Sequence, residues 1–283
     1  MGGNEDAARQ GKRGGVGMSV FEEPFSPLAT VVSQRFEAKY RIGELMAQAV
    51  RGFIQPFVVP DAYTDENACY TIHSLYLDTP DLALYHSSVA GKRNRFKMRI
   101  RYYDSSPDEP VFLEIKRRSD QVILKDRVRV PREVARRLLA GRATVGDLAA
   151  ACSGRLLNKA FKFRDTMERI GATPRVNVRY VREAYMARHE DAVRITFDRD
   201  LACFPAHGCS EPFPQEEGEW RAVGRGAVIL EVKFTNAFPR WVHEAVQRFH
   251  LVRDSIAKYV ICVIRLHNGG VSVAGPDPSR LFL

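Results

Sequence analysis

Two stretches decide the predicted fold: FKMRIRYY at residues 96–103 and VFLEIKRR at residues 111–118. Apolar side chains occupy every second position from Phe96 to Tyr102 and from Val111 to Ile115, and charged side chains fill most of the positions between them. Such period-two alternation is typical of a β-strand with one buried face and one polar face. Both stretches therefore predict strands whose charged side chains share a face.

The same alternation recurs along the chain. The predicted strands are 35–42, 70–77, 96–103, 111–118, 122–130, 175–186, 192–197 and 227–234. Helical spacing of apolar residues predicts helices at 43–54, 133–139, 156–170 and 239–249, and residues 255–266 fit either a helix or a final strand. About eight strands without regular helix alternation favour an α+β fold: a mainly antiparallel, closed β-barrel with flanking helices.

The sequence predicts how the 283-residue chain is divided into a domain and its flanking segments. We expect residues 1–30 to form a flexible leader, residues 31–268 a single folded domain and residues 269–283 a C-terminal tail.

No window of the sequence approaches the roughly 20 apolar residues of a membrane-spanning helix. The five cysteines form no C-x-x-C pair, so neither a zinc site nor a disulfide framework is expected. A reducing, cytoplasmic location is predicted.

Net charge indicates the class of ligand. Forty-three Lys and Arg residues oppose 34 Asp and Glu residues, which gives +9. A positive excess favours an anionic ligand: phosphate, nucleic acid or an acidic membrane surface.

A Glu-x-Lys motif occurs in three predicted strands. Its copies are Glu37/Lys39, Glu114/Lys116 and Glu231/Lys233. Residues two apart on a strand share a face, so each copy presents a carboxylate beside an ammonium. A solvated sheet face would explain any one copy, with ion pairs worth roughly 0–1 kcal/mol each. The polar faces as a set are nevertheless lopsidedly basic, which a solvated sheet does not need.

If these faces point into a barrel, the cations need an anion of high charge density. Like charges about 4 Å apart repel by roughly 4 kcal/mol at an effective dielectric near 20. A polyphosphate chain or a nucleoside triphosphate supplies the missing charge, and carboxylates suit Mg²⁺ or Mn²⁺. Together these groups are what phosphoryl transfer requires. The chain lacks a P-loop, the protein-kinase motifs and G-x-S-x-G.

Seven segments, taken in order, resemble the VTC domain, the catalytic domain of the vacuolar transporter chaperone complex. They are FEAKY (36–40), RIRYY (99–103), EIK (114–116), YVR (180–182), ITFD (195–198), LEVK (230–233) and AKY (257–259). The resemblance spans about residues 35–265 and implies the triphosphate tunnel metalloenzyme fold, a β tunnel with helices outside. It also implies a polyphosphate polymerase that transfers the γ-phosphate of ATP, with Mn²⁺ or Mg²⁺ as cofactor.

The resemblance carries roles onto individual residues. It implies that phosphates are bound by Lys39, Arg99, Arg101, Lys116, Lys125, Arg182 and Lys258, with Tyr180 donating a hydrogen bond. It implies that Glu231 holds the metal, with Glu37 and Glu114 as helpers. The same strand faces add Arg127, Arg194 and Lys233 as substrate-binding residues. Ala257 stands where the family often has Ser, so one hydroxyl contact is missing, and no SPX domain is found in the sequence.

Two alternatives stay open at this point. Water could replace the phosphate acceptor, which would make the protein a tripolyphosphatase or nucleoside triphosphatase. A basic barrel could instead bind polyanions without turnover. The expected partners are ATP and inorganic polyphosphate, no nucleic acid partner is expected, and a peripheral membrane partner is not identified by the sequence.

Overall fold

One antiparallel sheet organises the protein. The structure is a computed structural model, and it describes residues 35–62, 69–103, 106, 108–119, 122–189, 193–206, 212–213, 220–235 and 237–268. The strands are β1 (Arg35–Gly43), β2 (Val58–Pro60), β3 (Cys69–Asp78), β4 (Asn94–Tyr102), β5 (Val111–Ser119), β6 (Val122–Val130), β7 (Thr173–Ala187), β8 (Arg194–Pro205), β9 (Arg221–Ala222) and β10 (Ala227–Thr235). Each predicted strand is thus confirmed, and β8 continues eight residues beyond its predicted end.

Seven α-helices and a short 3₁₀ helix (Gln55–Phe57) accompany the sheet in the described part of the chain. The α-helices are α1 (Glu44–Ile54), α2 (Ala83–Val89), α3 (Arg132–Leu139), α4 (Val145–Ala151), α5 (Gly154–Ile170), α6 (Arg240–Arg248) and α7 (Lys258–His267). The ambiguous segment 255–266 is therefore a helix over most of its length. The short helices α2 and α4 were not predicted. None of the helices described combines the length and the apolar character needed to cross a bilayer.

The expectation of a closed β-barrel is wrong. The strand order is β1-β10-β8-β7-β3-β4-β5-β6, and no pairing within the described residues joins β6 back to β1. The outer edge of β1 is taken by the segment that connects α6 to α7. Asp254 donates its amide to the Lys39 carbonyl at 2.8 Å, and Arg253 forms a bridge with Tyr40. The Arg253 side chain also donates to the Glu37 carbonyl at 3.3 Å, so the edge carbonyls of Glu37 and Lys39 are not available to β6.

The open sheet is nevertheless strongly curved. Six strand-to-strand steps separate β1 from β5. At about 4.8 Å per step, a flat sheet would hold these strands about 29 Å apart. Yet Lys116 on β5 and Glu37 on β1 form an ion pair of 3.3 Å. The face that carries these two side chains is therefore concave, and the opposite face is convex.

Two apolar clusters cover the convex face. One packs Met98, Ile100 and Leu113 against α3, α4 and α5, with Phe163 of α5 only 1% exposed. The other packs β1, β8 and β10 against α1 and α6. Both clusters follow from the strand alternation, because the apolar side chains of each strand face the helices.

A third apolar cluster lies on the concave side. Ile72, Tyr76 and Val178, which share a strand face with the charged residues of β3 and β7, pack against Tyr259 and other residues of α7. The helix thus fills part of the concave side and places its first residue, Lys258, beside the charged side chains. The expected leader (1–30) and C-terminal tail (269–283) lie outside the described residues.

Burial of Phe163 generates a stability prediction. Phe163→Ala should lower the free energy of unfolding by about 3–5 kcal/mol, since the buried ring leaves a cavity between α5 and the sheet. Leu156→Ala, in the same helix but 47% exposed, should cost far less. Urea unfolding of both variants measures the difference, and equal losses would contradict the packing described.

Candidate active site

Charged side chains from seven strands line the concave face. The ionic face, as the name is used below, comprises Glu37, Lys39, Arg41, Lys97, Arg99, Arg101, Glu114, Lys116, Lys125, Arg127, Arg182, Arg194, Asp198, Glu231, Lys233 and, from α7, Lys258. Twelve of these are cations and four are carboxylates, an excess of eight. Asp61 and Asp254, which pair with Arg194 and Arg41 at its margins, reduce the excess to six. This face therefore carries more positive charge than its own carboxylates neutralise.

A lysine cluster forms where β1, β10 and β5 meet. Lys39 lies 2.8 Å from Glu37 and 3.7 Å from Glu231, Lys116 lies 3.3 Å from Glu37, and Lys233 pairs with Glu231. Burial works to raise the pKa of Glu37, but the three ammonium groups outweigh it and lower that pKa to about 2. Burial likewise opposes ionisation of Glu231, and nearby cations still hold its pKa well below the ordinary value. Both carboxylates are therefore ionised at neutral pH.

Glu114 is the centre of a second cluster. It is 1% exposed and lies 2.6 Å from Arg99, 2.9 Å from Lys125 and 3.3 Å from Arg127. Arg99 also donates to the hydroxyl of Tyr76 at 3.2 Å. Burial works to raise the pKa of Glu114, but Arg99, Arg101 and Lys125 outweigh it and the pKa is lowered. Glu114 is therefore paired with the cations of its own cluster and is not part of the lysine cluster that contains Glu37 and Glu231.

Asp198 is the centre of a third cluster. Arg182 donates two hydrogen bonds to it, of 2.6 and 2.8 Å, and Lys258 lies 2.6 Å away. The Lys258 ammonium also lies 4.7 Å from the centre of the Tyr180 ring. Burial works to raise the pKa of Tyr180, yet Arg101 and Arg182 outweigh it and the pKa is lowered. The Tyr180 hydroxyl is therefore a strengthened donor to an anion placed beside it.

Arg101 retains unused hydrogen-bonding capacity inside the protein. It is 7% exposed, and its guanidinium donates to the Tyr180 hydroxyl at 3.3 Å. Its Nε is buried without a hydrogen-bond partner in the described part of the structure. A buried, unused donor on a cation is costly unless an anion completes it. Arg101 is thus built to receive an anionic ligand.

Lys97 is a cation of the ionic face that the sequence analysis missed. Lys39, Lys116, Arg95 and Arg99 surround it, and no carboxylate is paired with it among the described residues. Burial, and then these like charges, lower its pKa to about 7. Lys97 shares the parity of Arg99 and Arg101 in the quoted stretch 96–103, and that alternation was the signal that could have identified it. An added anion would favour its charged form.

The predicted site residues thus fall into separate groups. The structure brings Lys39, Lys116, Lys233, Glu37 and Glu231 into one cluster, and groups Arg99, Lys125 and Arg127 around Glu114. It gathers Arg101, Tyr180, Arg182 and Lys258 near Asp198. Arg194 lies at the margin, bonded to Asp61 and to the Tyr70 hydroxyl. Asp198 and Tyr76 were not among the predicted site residues, although Asp198 shares a strand face with Arg194.

A divalent cation fits one of these groups. Mg²⁺ and Mn²⁺ take hard oxygen ligands, commonly one or two carboxylates together with substrate phosphates. Glu37 and Glu231 provide two ionised carboxylates that share Lys39. Within the described residues no group of three or more His, Cys, Asp or Glu side chains could hold a metal by itself. The pair therefore suits a metal that phosphate oxygens help to bind.

Comparisons with known proteins identify a matching family. The family model described as VTC domain matches residues 34–267. No curated protein matches the chain. Among solved structures, a candidate adenylate cyclase from Bacillus halodurans is similar, with 11% identity, coverage of 79% of this chain and 95% of that chain, and a TM-score of 0.45. A likeness at that TM-score is too distant to carry an argument about fold or activity.

The pKa of Glu37 generates a prediction of pH dependence. Its value is about 2 in the folded protein against an ordinary value of 4.5, so ionised Glu37 stabilises the fold above pH 4.5. That contribution is lost as the pH falls from 4.5 toward 2. The difference in unfolding free energy between the wild type and Glu37→Gln should therefore shrink between pH 6 and pH 3. Urea titrations at each pH measure it.

The matched control is Glu168→Gln, which changes a carboxylate that is 61% exposed on α5. Its difference from the wild type should vary little over the same range. A Glu37→Gln difference that stays constant or grows on acidification would contradict the ion pairs described.

Proposed function

This chain belongs to the VTC domain family, and from that premise we propose that it is a polyphosphate polymerase. It transfers the γ-phosphate of ATP to a growing inorganic polyphosphate chain that lies along the ionic face. The observation that carries the proposal is the excess of cations on a concave, partly buried surface. Family membership independently supports a nucleotide- or polyphosphate-related activity.

The arginines supply charge neutralisation for the transferred group. Arg99 and Arg182 are held by ion pairs with Glu114 and Asp198, and Arg101 is held by Tyr180. Phosphoryl transfer depends mostly on positioning and on electrostatic stabilisation of the equatorial oxygens. Side chains whose direction is already fixed lose little freedom when phosphate binds.

Lysines extend the cationic surface beyond these arginines. Lys39, Lys97 and Lys116 lie together where β1, β4 and β5 approach. A bound triphosphate that contacts the arginines leaves these ammonium groups to hold a second phosphate chain. The surface thus offers positions for a donor and for an acceptor of the same chemical kind.

Glu37 and Glu231 would hold the divalent cation. When bound, Mg²⁺ or Mn²⁺ polarises phosphate oxygens and neutralises developing charge. Lys39 lies between the two carboxylates and fixes their direction. Lys233 does the same for the second oxygen of Glu231. Lys233 is therefore a positioning residue in this proposal.

The acceptor chemistry favours transfer to phosphate. A terminal phosphate oxygen is already anionic and needs no base, whereas water must lose a proton. The pKa values of Glu37, Glu114, Asp198 and Glu231 are all lowered by paired cations, so these carboxylates are weak bases. This property supports a polymerase over a hydrolase.

Hydrolysis of nucleoside triphosphate or tripolyphosphate is the second candidate, and one residue favours it. Lys97 has a pKa of about 7 and is therefore partly neutral at physiological pH. Bound phosphate favours the charged form of Lys97, and only the fraction of Lys97 that stays neutral can accept a proton from water. The two candidates share one binding surface and differ in their products. A cytoplasmic location remains a prediction.

Product analysis tests the proposal directly. Incubation with ATP and Mn²⁺ should yield ADP and a phosphate polymer that is resolved by gel electrophoresis and destroyed by an exopolyphosphatase. Mg²⁺ should replace Mn²⁺, and a chelator should stop the reaction. Formation of ADP with only free phosphate would establish the hydrolase instead. If ATP is not turned over, both the polymerase and the hydrolase are ruled out.

The role of Glu231 generates a kinetic prediction. Glu231→Gln removes one charged ligand of the proposed metal, so turnover should fall by about 100-fold or more. Binding of ATP without metal should change less, because the arginine contacts remain. The control is Glu244→Gln on α6, where the half-exposed carboxylate pairs with exposed Arg240. Normal turnover in Glu231→Gln would place the metal elsewhere.

A further inference from the structure

Aromatic rings gather at one end of the ionic face. Tyr103 follows Arg101 on the same strand parity, and its ring centre lies 5.8 Å from that of Phe112 and 6.1 Å from that of Tyr70. Arg127 lies over Phe112 at 3.7 Å and donates to the Tyr103 hydroxyl at 3.1 Å. The aromatic rim, as this group is called below, consists of Tyr70, Tyr103, Phe112 and Arg127.

Packing does not account for this arrangement. Tyr103 is 39% exposed, and Phe112 lies on the concave parity of β5 rather than among the residues that face the helices. The exposed ring of Tyr103, beside an arginine, provides a surface on which a planar, electron-rich base can stack.

The rim is continuous with the cations proposed to bind phosphate. Arg127 contacts the rim rings and also Glu114, which in turn holds Arg99. Tyr103 directly follows β4 and lies two residues beyond Arg101 and four beyond Arg99, which is about 7 Å and about 13 Å of extended chain. A triphosphate and its ribose extend over a distance of this order. A nucleotide whose phosphates meet the arginines can therefore reach the rim with its base.

We propose that the aromatic rim is a nucleobase subsite that stacks the purine of the donor ATP. This inference rests on the proposed function and deepens it. It also gives the nucleotide a direction: the base lies at the end of the concave face near Tyr103, and the γ-phosphate points toward the lysine cluster with Glu37 and Glu231. Inorganic polyphosphate has no base and does not use the rim.

The test compares two ligands that differ in the base. Affinities for ATP and for inorganic tripolyphosphate are measured by calorimetry, without metal and at fixed ionic strength. Tyr103→Ala should weaken ATP binding about fivefold or more, the lower part of the range for stacking one base, and leave tripolyphosphate binding unchanged. Tyr103→Phe, which keeps the ring, should bind ATP nearly as the wild type does.

Phe36→Ala is the matched control, because that ring is 42% exposed on the opposite parity of β1. It should alter neither affinity. If Tyr103→Ala leaves the ratio of the two affinities unchanged while both ligands bind, the nucleobase subsite is wrong and the phosphate site stands. If the wild type binds neither ligand, the proposed function fails and the subsite with it.

Discussion

Electrostatic repulsion among the cations of the concave face is the constraint on which the rest of the structure depends. Twelve Lys and Arg side chains share a surface with four carboxylates, and even the marginal Asp61 and Asp254 leave an excess of six. At an effective dielectric near 20, each uncompensated pair about 4 Å apart costs roughly 4 kcal/mol. Each carboxylate lowers this cost by serving two or more cations, and a bound anion would lower it further.

The carboxylates are placed to do this. Glu37 and Glu231 separate three lysines, Glu114 separates two arginines and a lysine, and Asp198 joins Arg182 to Lys258. Lys97 has no such partner in the described part of the chain, and burial followed by the repulsion of nearby cations lowers its pKa. Arg101 retains a buried donor that finds no acceptor among the described residues. Both residues identify where negative charge is missing.

Curvature, rather than closure, brings these groups together. The edge of β1 is covered by Arg253 and Asp254, so the sheet stays open between β1 and β6. The ion pair between Lys116 and Glu37 nevertheless joins the two ends of the concave face. Helix α7 closes part of the concave side and delivers Lys258 to Asp198. An open sheet thus provides the enclosed, cationic environment that a barrel was expected to provide.

Strand parity predicted that most strand residues of the ionic face share one side of the sheet, but Lys97 was missed and Lys258 comes from a helix. The segments around Lys39, Arg99 and Glu231 predicted the family. Parity could not predict closure, because closure depends on which segment pairs with the edge of β1. It also could not assign partners: three Glu-x-Lys motifs look alike in sequence, yet Glu114 joins arginines while Glu37 and Glu231 share a lysine. Helix α2 was missed because it is only seven residues long.

Unfolding in the presence of inorganic tripolyphosphate tests whether the cations of the ionic face bind a phosphate chain. Free energies of unfolding are measured in urea, without divalent metal, against orthophosphate at equal ionic strength. A ligand that binds only the folded state stabilises it by about 2.7 kcal/mol at a concentration 100 times its Kd. We expect this rise for tripolyphosphate and its loss in an Arg99→Ala/Arg101→Ala variant. Equal stability in tripolyphosphate and orthophosphate would contradict it.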